Sequence, residues 1–186
     1  MIEIYQFKIV AIGIKPKIER ILWIKSTASF LNLHDTIQRL FGLDGYHLFE
    51  FYTSRDASPI SDGQDHSRLA KNVKLSTEFR HIKKIHYLYD FGDNWEFSIT
   101  LQKIFLDNKS EDYPFCVDAI GGMLIEDCGG PYCYNLLAAW CKSKTKENKD
   151  ALLEQFDEEV LEEYADFEPD KFNKDEVNRF IGKKKK

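Results

Sequence analysis

The strongest constraint that this sequence places on its fold is an alternation of apolar and polar residues on both sides of one short turn. Apolar side chains stand at every second position before and after it: Ile85, Tyr87, Tyr89 and Phe91, then Trp95, Phe97, Ile99 and Leu101. A period of two is typical of a strand with one buried face, and two such runs joined by a polar turn predict a β-hairpin. We therefore expect a hairpin over Ile85–Leu101 at the centre of a sheet.

The turn of this hairpin determines which side chains face each other. If Gly92-Asp93-Asn94 is a three-residue loop, Phe91 pairs with Trp95. Asp90 then lies directly opposite Glu96. Opposed like charges destabilise a sheet by up to about 1 kcal/mol, unless a cation or a proton relieves them. A four-residue loop would remove the conflict, so the inference depends on the register.

The rest of the chain carries both strand and helix patterns. The predicted strands are Ile2–Ile14, Arg20–Lys25 antiparallel to it, and Tyr46–Tyr52. The predicted helices run from Phe30 to Phe41 between a Ser29 cap and Gly42, over Tyr132–Trp140, over Asp150–Tyr164 as one amphipathic helix, and over Asn173–Ile181 with an Asn173 cap. Ser54–Asp65 is predicted to be a loop and Phe115–Pro131 an irregular stretch.

These elements predict an α+β fold: an antiparallel or mixed sheet of about five strands with a central hairpin, covered by helices. We expect a single domain over residues 1–182 and a basic tail over residues 183–186. With 186 residues, 43% of them hydrophobic, the chain has enough apolar material for a core, which argues against disorder. The apolar runs are too short to span a bilayer, and the first residues do not resemble a secretory signal. We therefore expect a cytoplasmic protein whose four cysteines are thiols.

The acidic residues of two glycine-bounded segments are the candidate metal ligands. Asp90 and Asp93 flank Gly92 in the hairpin turn, while Glu126 and Asp127 precede Gly129-Gly130. If the two segments meet, their carboxylates offer hard oxygen ligands to Mg²⁺, Mn²⁺ or Ca²⁺. The alternative is structural, since aspartates beside glycines commonly accept hydrogen bonds from their own turn.

Other chemistries find less support in the sequence. Cys128 and Cys133 have a zinc-like spacing, but Cys116 and Cys141 lie further out and no histidine follows His86. None of the five histidines lies in a recognisable nucleophile motif, and we expect His34 and His47 to be hydrogen-bonded structural residues. The sequence contains no Walker or dinucleotide phosphate-binding loop.

A basic segment is the candidate nucleic-acid site. The net charge of −5 does not indicate nucleic-acid binding, but six cations stand between residues 65 and 84: Arg68, Lys71, Lys74, Arg80, Lys83 and Lys84. Such a cluster could neutralise phosphates in a salt-dependent manner. The alternative is an ordinary solvated face.

Several segments together resemble a known family, the plasmid pRiA4b ORF-3-like proteins. The segments are Tyr87–Trp95, Leu33–Ile37, Tyr46–Phe51, Glu126–Gly130, Asp166–Phe172 and Glu176–Asn178. Two positions differ from the family pattern: Phe97 replaces a usual histidine, and Leu124-Ile125 replaces Pro-Pro. The resemblance implies a small, mostly prokaryotic protein without a settled activity, in a family of which some members are encoded on mobile elements.

Three functional expectations follow. The first is a binding or interaction module with a protein partner, linked to mobile-element biology and acting away from membranes. The second is a metal-dependent phosphodiester hydrolase with Asp90, Asp93, Glu126 and Asp127 as ligands. The third is weak nucleic-acid binding through the basic segment. Whether the protein is an enzyme stays open at this stage.

Overall fold

One mixed sheet forms the body of the protein. The computed structural model describes residues 1–54, 57–63, 66–107 and 113–182. Within these ranges the strands are β1 Ile2–Ala11, β2 Glu19–Lys25, β3 Phe49–Tyr52, β4 Ile60–Ser61, β5 Arg68–Leu69, β6 Lys84–Tyr89, β7 Trp95–Asp107 and β8 Phe115–Ile120. Their order across the sheet is β5-β4-β3-β6-β7-β1-β2-β8, and only the β4–β5 pair is parallel.

Six helices accompany this sheet in the described ranges. They are α1 Phe30–Phe41, α2 Leu75–Phe79, α3 Gly130–Lys142, α4 Lys146–Leu153, α5 Glu158–Glu163 and α6 Lys174–Phe180. The predicted α+β class is therefore confirmed, and the sheet is mixed. The predicted basic tail, residues 183–186, lies outside the described residues.

The predicted strand count of about five is wrong, because the sheet has eight strands in the described residues. Two of the extra strands, β4 and β5, are only two residues long and too short to show a period. The third, β8, lies in the stretch predicted to be irregular. Only Cys116 of its six residues is buried, so β8 carries no apolar alternation that could have revealed it.

The central hairpin is confirmed, and its turn is longer than either of the two loop lengths considered from the sequence. Tyr89 pairs with Trp95 and Leu88 pairs with Glu96, so the connection has five residues, from Asp90 to Asn94. Asp90 and Asn94 both adopt positive φ values, 55° and 63°, and the Asn94 amide donates to the Asp90 carbonyl at 2.6 Å. These two residues therefore belong to the turn, and the opposition of Asp90 and Glu96 that a three-residue loop would have produced does not arise.

Helix α1 forms as its local sequence predicts. Ser29 and Asn32 make a capping box, in which each side chain bonds the backbone amide of the other. Gly42 ends the helix with a φ of 80°, the left-handed conformation that glycine adopts without strain. The apolar stripe of α1, which includes Phe30, Leu33 and Ile37, is fully buried.

The C-terminal third differs from prediction in one helix. The single helix expected over Asp150–Tyr164 is wrong, because Asp157 adopts an extended backbone (ψ 159°) as the N-cap of α5 and separates it from α4. Helix α6 follows the prediction, and the Asn173 side chain caps it by accepting from the Glu176 amide.

A buried arginine joins the sheet to the loop that follows β8. Arg20 of β2 is fully buried, and its guanidinium donates to the carbonyls of Leu40 (2.9 Å), Ile120 (2.8 Å) and Gly122. It also lies 3.8 Å from the ring centroid of Phe172. Burial lowers the pKa of Arg20 to about 10, so the side chain stays charged at neutral pH. The loop is therefore anchored where it leaves the sheet.

No helix in the described ranges combines the length and the apolar character that crossing a bilayer requires.

Candidate functional site

Three segments that are far apart in the sequence meet at the turn of the central hairpin. Asp90 directly follows β6, His47 precedes β3, and Glu126-Asp127 lie between β8 and α3. Because β3 runs antiparallel to β6, the start of one strand lies beside the end of the other. The Asp90 amide extends this pairing by donating to the Leu48 carbonyl at 3.0 Å.

The side chains of these segments form one compact polar cluster. One ligand atom from each of His47, Asp90, Glu126 and Asp127 lies within 4.8 Å of all the others. Nε2 of His47 is 3.0 Å from Oδ1 of Asp127, 3.8 Å from Oδ2 of Asp90 and 3.8 Å from Oε1 of Glu126. Three carboxylates therefore surround one imidazole nitrogen.

Glu126 is half-buried, and one of its two carboxylate oxygens has no hydrogen-bond donor among the described residues. Oε2 accepts from the Asp44 amide and from the Tyr89 hydroxyl, the latter at 3.3 Å. Oε1 is buried, and no described residue donates a hydrogen bond to it. Burial is the main reason that the pKa of Glu126 is raised. An oxygen that has left water without gaining a donor is a costly feature in an apoprotein.

The Tyr89 hydroxyl holds the two sides of the cluster together. Besides donating to Glu126, it accepts from the Gly45 amide at 3.0 Å and lies 3.5 Å from the His47 amide. Burial raises the pKa of Tyr89 to about 12, so the hydroxyl keeps its proton and remains a donor. Tyr89 thus fixes the segment that carries His47 relative to Glu126.

The charge of His47 depends on its carboxylate neighbours. Desolvation by itself would lower the pKa of His47, but Asp90, Asp127 and Glu126 act in the opposite direction and the net shift is upward. The imidazolium form is therefore favoured while only a proton compensates the three carboxylates. A dication at the same place would supply more positive charge and would displace the Nε2 proton.

Asp90 uses its two oxygens differently. Oδ1 accepts from the Gly92 amide at 2.9 Å, which is the turn hydrogen bond expected of an aspartate beside a glycine. Oδ2 faces His47. The structural and the ligand interpretations of this residue are thus compatible, because they involve different atoms.

Asp93 does not join the other three carboxylates that the sequence nominated. Its Oδ2 accepts from the Gly129 amide at 3.1 Å, at the start of α3. Gly130 lies directly against the same turn, where a Cβ atom would stand 2.1 Å from the Asp93 carbonyl oxygen. Burial, followed by the nearby Asp90, raises the pKa of Asp93. Asp93 therefore attaches the hairpin turn to the loop that carries Glu126 and Asp127.

Comparison with known proteins gives the family of the chain. The family model described as "Plasmid pRiA4b ORF-3-like protein" matches residues 3–176. The chain belongs to this family. The resemblance noted in the sequence is confirmed over nearly its whole length.

Two relatives of this pRiA4b ORF-3-like chain carry no functional description. One is "Uncharacterized protein y4hQ" of Sinorhizobium fredii, 31% identical over 137 residues, which span 71% of this chain and 70% of that protein. The other is the crystal structure of "Protein of Unknown Function MM3350" from Methanosarcina mazei Go1. It is 31% identical, with a TM-score of 0.78, over 95% of this chain and 98% of that one. These relatives support the shared fold and name no activity, and they do not bear on the expected link to mobile elements.

His47 is the member of the cluster that the sequence did not single out as a ligand. It stands in one of the segments that resemble the pRiA4b ORF-3-like family, beside strand β3. Only the pairing of β3 with β6 brings it to Asp90, and that pairing spans about forty residues of chain. His34, in contrast, is buried and bonded to the Tyr87 hydroxyl at 2.8 Å, as expected of a structural histidine. None of the four cysteines, all free thiols, belongs to the cluster.

The six predicted nucleic-acid residues lie on exposed positions from β5 to β6. Arg68 already forms a bidentate pair with Glu78, at 2.8 and 3.1 Å, which leaves it less available to a phosphate. Lys74 is the N-cap residue of α2, Arg80 is its C-cap residue, and Lys84 is the first residue of β6. Nucleic-acid binding through this segment stays a prediction.

Proposed function

We propose that the protein binds one divalent metal ion through His47, Asp90, Glu126 and Asp127. The observation that carries the proposal is the convergence of four potential ligand atoms within 4.8 Å of one another, from three separate segments of chain. The buried Oε1 of Glu126, to which no described residue donates, supports it independently, since a cation would satisfy that oxygen.

The distances are compatible with coordination after a small adjustment. Ligand atoms about 2.1 Å from an ion lie about 3.0–3.4 Å apart when they are neighbours in octahedral or tetrahedral geometry. Nε2 of His47 is already 3.0 Å from Asp127, and its two 3.8 Å contacts need to shorten by about half an ångström. Rotation of exposed Asp127 and half-exposed His47 can supply that movement.

The donor set indicates the kind of ion. An all-oxygen site, as the sequence alone predicted, would suit Mg²⁺ or Ca²⁺, whereas an imidazole nitrogen favours a transition-metal dication. One nitrogen with three carboxylates fits Mn²⁺ or Zn²⁺, and three negative charges outweigh the +2 of either ion. The proposed occupant is therefore Mn²⁺ or Zn²⁺.

The direct test is native mass spectrometry of protein purified without chelator and then supplied with Mn²⁺ or Zn²⁺. We expect a mass excess of one ion, lost in the Asp90→Asn and Glu126→Gln variants. Glu50→Gln is the matched control, because Glu50 lies on β3 three residues after His47 and outside the cluster. A bare polypeptide mass at every metal concentration, or equal metal retention in all variants, would refute the proposal.

Hydrolysis of phosphodiesters is a second candidate function, favoured by the uneven exposure of the ligands. The Asp127 side chain is 72% exposed, whereas that of Asp90 is 10% exposed, so one side of the proposed ion faces solvent. An open position would admit a water molecule, and a bound dication lowers the pKa of such a water towards neutrality. Turnover of a model phosphodiester that requires the metal and disappears in Asp90→Asn would support this function. Metal binding without turnover of phosphodiesters would leave the site structural.

A further inference from the structure

The unpaired strand edges of the sheet differ in how they are protected from pairing with another chain. Strand β5, at one edge, is only two residues long. Strand β8, at the other, is covered: the Asn178 side chain of α6 accepts from the Cys116 amide at 2.7 Å and donates to its carbonyl at 2.9 Å. Lys174 donates to the next carbonyl, that of Val117. Short and covered edges are the usual protection against pairing with another chain.

The far end of β7 lacks such protection in the described residues. Strand β6 pairs with β7 only as far as Thr100, and the Leu101 amide donates to the Lys83 carbonyl beyond it. Strand β7 continues to Asp107, paired with β1 on its other side. From Gln102 to Leu106, no described strand lies on the β6 side.

The side chains of this overhang are those of a binding edge. Ile104 is 54% exposed and Leu106 is 60% exposed. Large aliphatic side chains on an unpaired strand edge favour association with another chain. The ring of Phe105 packs against Trp23 of β2, with 5.0 Å between the ring centroids, and β1 pairs with this part of β7 along its other side. Backbone groups and exposed apolar side chains are therefore presented together, as in the recognition of an added strand.

We propose that this overhang, Gln102–Asp107, pairs with the same segment of a second copy of the chain. In an antiparallel pair centred on Phe105, Ile104 of each copy faces Leu106 of the other. The same register places Lys103 opposite Asp107 twice, once on each side of the two-fold axis. An interface of this kind uses the same patch on both subunits, so complementarity within one segment is what it requires.

The alternative registers are less favourable. A shift of one residue would place side chains opposite partners that belong to the other face of the sheet. Shifting each pair by two residues in one direction puts Lys103 against Phe105, and a further such shift puts Lys103 against Lys103. Only the register centred on Phe105 gives two opposite-charge pairs and two aliphatic pairs.

This surface is separate from the proposed metal site. Residue 105 stands ten positions beyond Trp95 on one strand, a span of about 33 Å at the usual strand rise. Self-association should therefore occur with or without added metal.

Charge reversal tests the proposal on the full chain by analytical ultracentrifugation. The wild type is expected to form dimers as its concentration rises towards about 1 mM. Lys103→Glu and Asp107→Lys should each weaken dimerisation at least about tenfold, because each sets like charges opposite each other twice. Mixed in equal amounts, the two variants should form a heterodimer, since both charge pairs are then attractive again.

The controls separate this surface from general charge effects and from misfolding. Lys71→Glu makes the same charge change at an exposed position before α2 and should leave the dimer intact. Because Tyr113 donates to Asp107, circular dichroism must show that Asp107→Lys is folded, and Leu106→Lys is a second variant that should also give monomers. A wild type that stays monomeric throughout, even if it binds an extended peptide, overturns the proposal. So does a failure of the mixture to dimerise, or equal loss in Lys71→Glu.

Discussion

Two charged groups of this protein, one fully buried and one half-buried, differ in how many of their polar atoms have a hydrogen-bond partner. The Arg20 guanidinium is fully buried, yet backbone carbonyls from α1, from the end of β8 and from the loop after it accept its hydrogen bonds. Glu126 is only half satisfied by comparison. One carboxylate oxygen accepts from two donors, and the other, also buried, has no donor among the described residues. Arg20 needs no further partner to be stable where it lies. The proposed cation would supply the partner that the second oxygen of Glu126 lacks among the described residues.

This contrast has a physical basis in the chemistry of the partners. A guanidinium offers five donors, and a loop can arrange several carbonyls around them without any other charged group. Three carboxylates and one imidazole cannot satisfy each other in the same way, since carboxylates are acceptors only and repel one another. The charge of Arg20 therefore has a structural role, whereas the cluster around Glu126 brings together side chains of the kinds that bind metal ions.

Removal of the Arg20 side chain should have the largest effect. Arg20→Met leaves several buried carbonyls without donors, and we expect a loss of about 3–5 kcal/mol in the free energy of unfolding. Urea denaturation of the purified variant measures this loss. The Arg20→Lys variant keeps the charge but offers fewer donors. Its free energy of unfolding should lie between those of the wild type and Arg20→Met. A loss below about 1 kcal/mol would mean that the loop is held by other contacts.

Metal addition should stabilise the wild type to a somewhat smaller extent. A ligand that binds only the folded state contributes about 2.7 kcal/mol at a free concentration one hundred times its dissociation constant. The midpoint of thermal unfolding should therefore rise with Mn²⁺ or Zn²⁺ concentration, and should not rise in Asp90→Asn. An equal rise in that variant would place the ion elsewhere on the protein.

The Glu126→Gln variant should separate two effects of the unsatisfied oxygen: its cost to the stability of the metal-free protein and its contribution to metal affinity. In metal-free protein the substitution removes a partly buried charge beside two other carboxylates, so stability should stay equal or increase by up to about 1 kcal/mol. The affinity for the metal should fall at least about tenfold, since a ligand charge is lost. Urea denaturation without metal and titration calorimetry with it measure the two effects. A variant that is clearly less stable without metal would identify Glu126 as a structural residue.

The titration of His47 is the smallest of the expected effects. Its pKa is raised above the ordinary 6.5 by the neighbouring carboxylates, so its contribution to the stability of the metal-free protein is fully present below that value and is lost as the pH rises through the folded pKa. Metal competes with the same proton, so metal affinity should weaken as the solution is acidified through this range. An imidazole titration followed by NMR checks the shift, and a pKa below 6.5 in the metal-free protein would contradict it.

Local patterns were sufficient for the elements with strong periodicity or caps. The central hairpin and α1 follow from alternation, from Ser29 and from Gly42, all of which act within a few residues. Strand β8 could not be predicted in the same way, because it depends on β2 for its pairing and on α6 for its cover. The five-residue hairpin turn was missed because a tolerance of positive φ at Asp90 is not visible in a polar-apolar pattern.

The candidate site was predictable in its residue types and not in its assembly. Glycine-bounded carboxylates drew attention to Asp90, Glu126 and Asp127, which do meet. Asp93 was indistinguishable from Asp90 in sequence, and only the approach of α3 gives it a different partner. His47 required knowledge of the β3–β6 pairing, a contact between distant segments that no local pattern encodes.

The most direct test of the central claim is a crystal structure of the protein grown with Mn²⁺ and measured for anomalous scattering. The account predicts one strong anomalous peak about 2.0–2.2 Å from Nε2 of His47 and from oxygens of Asp90, Glu126 and Asp127. The Asp90→Asn crystal should lack that peak. A wild-type map with no peak at these residues, under conditions that saturate the protein with Mn²⁺, would contradict the proposed site.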